Sequence, residues 1–202
     1  MKKFGIITIE RQFASGGREI GKKLAEKLEI PCYGEEILKR AAELCHSTPE
    51  YLEHLEETVT NSFLYSLVML GKSVSWKSDE PPIAENLNII EGKVIRELAD
   101  KGDCVIIGRC ASYFLSDRKD CLNIFVHADR DSRRERAVSQ YGISEKNVDN
   151  ILKSFDKKRA NYYHANSGKE WLEPSNYHMM LDSGRLGCDR CADIIEFYVR
   201  GI

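Results

Sequence analysis

The chain has 202 residues, 42% of them hydrophobic, a length that suits one three-layer domain with room for a small inserted lobe. Its 30 basic and 32 acidic residues nearly cancel, so no overall field favours a nucleic-acid polymer or an anionic membrane as partner. No run approaches the roughly 18 apolar residues of a membrane span, and the first residues lack a signal-peptide pattern. We therefore expect a cytoplasmic protein.

The first predicted element is a short, continuous apolar run at residues 4–9, which is typical of a buried parallel strand. The run breaks at residues 10–12 and a glycine pair follows at Gly16 and Gly17. Apolar residues then recur with helical spacing over residues 20–28. A strand, a glycine turn and a helix in this order form the arrangement that a phosphate-binding site requires.

The middle of the chain is predicted to be mainly helical. Residues 35–75 carry an apolar stripe with helical spacing, and the polar residues 73–82 end in two prolines. Another helix is expected to start near Asn86. Residues 104–107 then form a second buried strand.

The last third of the chain alternates strands and helices again. Strands are predicted at residues 122–127 and 178–181, with Asp129 as a helix cap after the first of them and a helix starting at Ser144 between them. A turn at residues 182–187 and a terminal helix follow. Strands that alternate with helices predict an α/β fold with a parallel sheet, and ligands bind beyond the carboxyl ends of such strands.

Cys188 and Cys191 form a CxxC pair before the terminal helix, among seven cysteines that are scattered along the chain. Scattered cysteines fit reduced thiols better than a disulfide framework. A zinc site needs a second ligand pair, and a thioredoxin-like site needs its CxxC after an early strand. Neither context is present, so we expect no metal or redox function here.

The turn at residues 11–18 is the main candidate site. The Walker pattern, GxxxxGK followed by Ser or Thr, surrounds phosphate oxygens with backbone N–H groups and adds a lysine charge. This turn keeps the glycines but lacks the lysine, so Arg11 or Arg18 would have to supply the charge. The alternative is that Gly16 and Gly17 only make a tight turn between strand and helix.

Residues 7–20 resemble the opening of the cytidylate kinase-like family, in which an apolar strand leads to Ser-Arg-Gln and a Gly-Ser-Gly-Gly-Arg turn. Glu10 stands where that pattern favours serine, and Ala14 stands where it favours glycine. Shorter matches continue in the expected order along the chain: 105–109, 160–163, 168–171, 174–177 and 182–187.

The resemblance implies a three-layer, P-loop nucleoside-monophosphate kinase fold in a single domain. A helical acceptor-binding lobe would occupy residues 31–85 and a basic lid would occupy residues 130–170. The expected cofactors are ATP and Mg²⁺, and the expected acceptor is a nucleoside monophosphate, with CMP or dCMP first. The oligomeric state is left open, because a helical stripe that faces a core looks the same as one that faces a partner.

The resemblance and the local patterns together indicate the site. Arg109 follows a strand at the position of a Gly-Arg-Asp motif whose arginine contacts the acceptor phosphate in cytidylate kinases, although Cys110 replaces the aspartate. Glu19 adjoins the position of the expected magnesium-binding hydroxyl, which leaves the metal ligands unassigned. The residues expected to bind donor phosphates are Arg11, Ser15, Gly16, Gly17, Arg18 and Glu19. The residues expected to act in transfer are Arg18, Arg109, Lys158 and Arg159.

Two alternatives keep the fold but change the function. The acceptor could be another small phosphorylated or hydroxylated metabolite. The protein could also be a regulator that binds nucleotide without turnover, because loss of the Walker lysine can abolish transfer and leave backbone phosphate binding intact.

Overall fold

A parallel sheet of five strands forms the centre of the computed structural model, which describes residues 4–45, 47–48 and 83–201, without the side chains of 83–86. The strands lie in the order β2-β3-β1-β4-β5, so that β1 pairs with β3 on one side and with β4 on the other. The strands are β1 (Ile6–Arg11), β2 (Cys32–Tyr33), β3 (Cys104–Ile107), β4 (Cys121–His127) and β5 (Met179–Asp182).

Helices cover both faces of this sheet. Ile7 and Ile9 of β1 pack against α1 and α8 on one face, whereas Ile6 packs with α3 and α4 on the other. Successive side chains of a strand point to opposite faces, so this alternation places Arg11 on the α1 side and Glu10 on the other side. The helices are α1 (Gly17–Leu28), α2 (Glu35–Leu44), α3 (Ile83–Asp100), α4 (Ala111–Phe114), α5 (Arg130–Ser139), α6 (Val148–Ser167), α7 (Ser183–Leu186) and α8 (Cys188–Arg200).

The three-layer parallel sheet confirms the predicted fold class, with corrections at strand ends. The first strand was predicted at residues 4–9, but β1 runs to Arg11 because Arg11 still pairs with Val126 of β4. The last strand is displaced by one residue from the predicted 178–181. The two-residue strand β2 was not predicted at all.

The helix boundaries also depart from the predicted ones. Residues 145–147 form a turn that begins with a bond from the Asn147 N–H to the Ser144 carbonyl (3.0 Å), so α6 begins at Val148 and not at Ser144. The helical stretch predicted at 35–75 is confirmed for α2, and its part from residue 49 on lies outside the described residues. Most of the proposed lobe at 31–85 therefore stays a prediction.

No helix in the described ranges combines the length and the apolar character that crossing a membrane needs.

Candidate active site

A cavity of about 670 Å³ lies at the carboxyl ends of β1 and β3. One wall is the turn after β1 together with the first residues of α1, and Arg109, just after β3, forms another. Residues of α6, among them Ile151 and Arg159, close the third side. This is the edge of a parallel sheet at which ligands bind.

The glycine turn is held from beneath by Ser15. The Ser15 side chain is fully buried, and its hydroxyl lies 2.9 Å from the Gln12 carbonyl and 3.1 Å from the Val126 carbonyl. Its N–H also bonds to the Gln12 carbonyl, at 3.3 Å. The hydroxyl of Ser15 therefore braces the turn, and a contact of Ser15 with donor phosphates stays a prediction.

Gly16 and Gly17 make the transition from the turn into α1. Gly16 caps the helix with φ 78°, in the left-handed region that glycine adopts without strain, and Gly17 is the first helical residue. Both glycines line the cavity. The positive end of the helix dipole and the backbone therefore face the cavity, as an anion site requires.

Four arginines line the cavity: Arg11, Arg18, Arg109 and Arg159. Burial lowers the pKa of Arg11. Burial, together with the positive charge of Arg11, lowers the pKa of Arg159 to about 9. Arg159 donates to the Arg11 carbonyl (2.9 Å), and Arg109 forms an ion pair with Glu91 (3.1 Å). Within the described part of the chain, the Arg11 guanidinium makes no hydrogen bond and no ion pair. The cavity thus carries positive charge in excess of its protein partners.

The backbone around Arg109 is held in an unusual conformation. Gly108, Arg109 and Cys110 have φ values of 72°, 57° and 55°, so three consecutive residues lie in the left-handed region. That region costs roughly 1–2 kcal/mol for each residue with a side chain. Strained backbone of this kind concentrates at functional sites, which supports a functional role for Arg109.

Glu91 is a residue of the site that the sequence analysis missed. Its side chain is completely buried, one carboxylate oxygen accepts from Arg109, and the other accepts from the Tyr162 hydroxyl. A signal was present, because Glu91 stands four residues from both Leu87 and Ile95 on the buried stripe of α3. A carboxylate at a core position needs a buried partner.

Arg18 and Glu19, both predicted to bind donor phosphates, form ion pairs with other side chains of the protein. The Arg18 side chain is 55% exposed at the rim of the cavity and forms an ion pair with Glu35 of α2. Glu19 pairs with Lys23 one helical turn on, at 3.0 Å. Both side chains thus have charged partners within the protein, and their binding to donor phosphates stays a prediction.

The helices α5 and α6 are bonded to the backbone of the glycine turn. Arg133 donates to the Phe13 carbonyl (2.8 Å) and to Asp156 (2.6 Å), and Asp156 accepts from the Phe13 N–H (2.7 Å). Arg136 donates to the Ala14 carbonyl (2.9 Å). Arg133 and Arg136, which lie in the predicted lid region, thus support the backbone of the glycine turn in this structure.

Apolar and aromatic side chains form the end of the cavity next to α6. Phe13 and Phe155 stack with ring centroids 4.4 Å apart, and Tyr141 meets Phe13 edge-on at 5.8 Å. The Nζ of Lys158 lies 5.3 Å from the centroid of the Phe155 ring, and its role in transfer stays a prediction. Tyr163, further along α6, is buried in the core.

The predictions about metal ligands and thiols concern Asp129 and the pair Cys188 and Cys191. Asp129 caps α5, as expected, by accepting from the Ser132 N–H (2.9 Å). Cys188 and Cys191 are free, buried thiols, and burial raises the pKa of both. Across the described ranges, His, Cys, Asp and Glu side chains form no group of three that could hold a metal ion.

The comparisons with known proteins agree with this geometry. No curated protein matches the chain. An uncharacterized protein from Eubacterium ventriosum has 27% sequence identity and a TM-score of 0.73, over 98% of this chain and 99% of that one. Shikimate kinase from Bacteroides thetaiotaomicron has 14% identity and a TM-score of 0.54, over 96% and 98% of the two chains.

A second shikimate kinase, from Acinetobacter baumannii in complex with shikimate, has 13% identity and a TM-score of 0.53, over 99% of this chain and 95% of that one. Both kinases share the fold of this chain. The model of the cytidylate kinase-like family matches residues 6–185. The chain therefore belongs to the cytidylate kinase-like family.

Proposed function

We propose that the protein transfers the γ-phosphoryl group of ATP to the phosphate of a nucleoside monophosphate, with CMP or dCMP as the first acceptor. The observation that carries this proposal is the cavity at the strand ends, where a glycine turn and four arginines leave positive charge in excess. Phosphoryl transfer needs little covalent chemistry from the protein. Positioning and electrostatic stabilisation are what such a cavity supplies.

The two sides of the cavity suit different phosphates. The glycine turn and Arg11 would hold the phosphates of ATP, and Arg109, held by Glu91, would hold the phosphate of the acceptor. Arg159 lies beside Arg11 and would stabilise the charge that spreads over the transferred group. ATP would enter as its magnesium complex, and no residue of the described chain is assigned to the metal.

The aromatic end of the cavity supports a ligand with a flat ring. Phe13, Tyr141 and Phe155 give this end an apolar surface next to the arginines. A ligand that fits both parts carries phosphate and an aromatic ring, as a nucleotide does. A small polar acceptor such as shikimate would leave this surface unused.

A panel assay tests the proposal. The protein is incubated with ATP, Mg²⁺ and each nucleoside monophosphate in turn, with shikimate as a hydroxyl acceptor, and ADP formation is followed. We expect turnover with CMP or dCMP at least tenfold above the other acceptors. ATP binding without turnover on any acceptor would favour the regulator, and turnover on shikimate alone would favour a metabolite kinase.

The variant Arg109→Lys tests the acceptor site within the same assay. Lysine keeps the charge beside Glu91 but loses the planar fork that binds phosphate through two bonds. We expect KM for the acceptor to rise about tenfold while KM for ATP stays within about twofold. Arg96→Ala removes an exposed arginine paired with Asp117 and serves as the control.

A further inference from the structure

The adjacent glycines allow two alignments with the Walker pattern. If Gly17 is the glycine before the lysine position, then Arg18 replaces the lysine; if Gly16 is that glycine, then Gly17 itself replaces it. The backbone distinguishes the two, because only Gly16 of this pair has a positive φ, at 78°. Gly16 is therefore the glycine that the turn requires, and the lysine position is occupied by a residue without a side chain.

The space beside Gly17 is filled by Arg11. A Cβ atom added to Gly17 would lie 2.6 Å from the Arg11 Cβ and 2.9 Å from its Cγ. Further along, a Cβ added to Gly108 would lie 1.8 Å from the Arg11 Nη1. The arginine side chain thus runs from beneath the first turn of α1 to the strained segment that carries Arg109, and it passes one glycine at each end.

The strand geometry explains how Arg11 reaches this place. Arg11 is the last residue of β1, and its side chain points to the same face as Ile7 and Ile9, which is the face covered by α1. Its guanidinium lines the cavity without an ion pair or hydrogen bond to any described residue. A partly buried cation in this state is suited to bind an anion from outside the protein.

We propose that Arg11 binds the donor phosphates in place of the Walker lysine, and that Gly17 and Gly108 are glycines because the Arg11 side chain lies against them. The inference rests on the proposed function, and it replaces Arg18 by Arg11 as the source of the charge. It also requires that residue 17 have no side chain, which a simple tight turn between strand and helix does not require.

Calorimetric titration with ATP and with inorganic tripolyphosphate tests whether Arg11 supplies the charge that binds the donor phosphates. Tripolyphosphate carries the phosphates without a base, so it reports on the phosphate site alone. We expect Arg11→Ala to weaken both ligands at least tenfold and Arg11→Lys to restore part of the affinity. Arg18→Ala should weaken them threefold at most, and Arg96→Ala, away from the cavity, should leave them unchanged. Melting temperatures of all variants check that each one folds.

A double-mutant cycle tests the steric part. Gly17→Ala places a methyl group against Arg11, so alone it should weaken tripolyphosphate binding about as much as Arg11→Ala does. In the Arg11→Ala background the same change should have little further effect, because the colliding side chain is gone. Fully additive losses would overturn the steric claim.

The outcomes separate this inference from the proposed function. If the unaltered protein binds neither ATP nor tripolyphosphate, the proposed function fails along with the inference. If it binds both, and Arg18→Ala rather than Arg11→Ala abolishes binding, only the inference is overturned. Turnover in the panel assay decides the kinase claim independently of either variant.

Discussion

Glu10 and Arg11 are neighbours with opposite surroundings, because successive strand residues face opposite sides of the sheet. Arg11 reaches the cavity, whereas Glu10 is buried under the aromatic cluster that includes Trp171. One Glu10 carboxylate oxygen has no hydrogen-bond partner among the described residues, and the other lies 3.5 Å from the Trp171 Nε1. Burial raises the pKa of Glu10, and the charges of Arg11 and Arg159 offset only part of this effect.

The variant Glu10→Gln is therefore expected to stabilise the protein at alkaline pH. The ordinary pKa of 4.5 applies to the unfolded chain, so between pH 4.5 and the higher folded value the native state binds the extra proton. The free energy of unfolding then falls as pH rises, and glutamine removes that loss. Urea unfolding at pH 8 should show a gain of about 1–3 kcal/mol, with a smaller difference at pH 5.

A lower stability of the glutamine variant at pH 8 would contradict this reasoning. It would mean that an ionised Glu10 stabilises Arg11 and Arg159 by more than its burial costs.

At this scale the sequence indicated most of the cations but not their orientations. Arg11, Arg109 and Arg159 were all predicted, and all three line the cavity. Arg18 was predicted too, and it lies at the rim of the cavity in an ion pair with Glu35. Our proposal of Arg11 in place of Arg18 rests on the left-handed Gly16 and on the face of β1, and residue types reveal neither.

Glu91 links three elements, since it lies on α3 and bonds to Arg109 after β3 and to Tyr162 of α6. Removing one partner of a buried ion pair leaves the other charge without compensation, at a cost of about 3–5 kcal/mol. We take about 3 kcal/mol, because Arg109 keeps some exposure. Glu91→Ala should then lower the melting temperature by about 6–12 °C.

Thermal unfolding followed by circular dichroism measures the effect of Glu91→Ala. Glu97→Ala is the matched control, because Glu97 is exposed on the same helix and its Lys93 partner is 4.0 Å away. Exposed pairs contribute roughly 0–1 kcal/mol, so the control should melt within about 4 °C of the unaltered protein. Equal melting temperatures for the two variants would argue against a linking role for Glu91.

Long elements were easier to predict than short ones. The continuous apolar runs of β3 and β4 and the helical spacing after the glycine turn are clear signals, and the structure confirms these elements. The strand β2 has two residues between Pro31 and Gly34, which is too short for any period. The end of β1 was missed because Glu10 and Arg11 are charged, and only their pairing with β4 keeps them in the sheet.

The whole molecule brings together charges that the composition hides. The net charge is −2, yet the parallel sheet collects Arg11, Arg109 and Arg159 at one edge from positions far apart in the chain. The net charge of the chain cannot show this cluster, because the local electric field depends on which ends of the strands meet. The fold class followed from the order of elements, whereas the excess of positive charge followed only from their packing.

Ligand binding at this edge should stabilise the entire fold. A ligand that binds only the native state adds RT ln(1 + [L]/Kd), which is about 2.7 kcal/mol at one hundred times Kd. For a chain of this size, each kcal/mol of added stability raises the melting temperature by about 2–4 °C. We therefore expect ATP at one hundred times its Kd to raise the melting temperature by about 5–11 °C. Tripolyphosphate at the same multiple of its own Kd should give the same shift, because the gain in stability depends only on the ratio of ligand concentration to Kd. Unchanged melting at saturating ATP would contradict binding to the native state, whereas loss of the shift in Arg11→Ala at fixed ATP would place that binding at the phosphate turn.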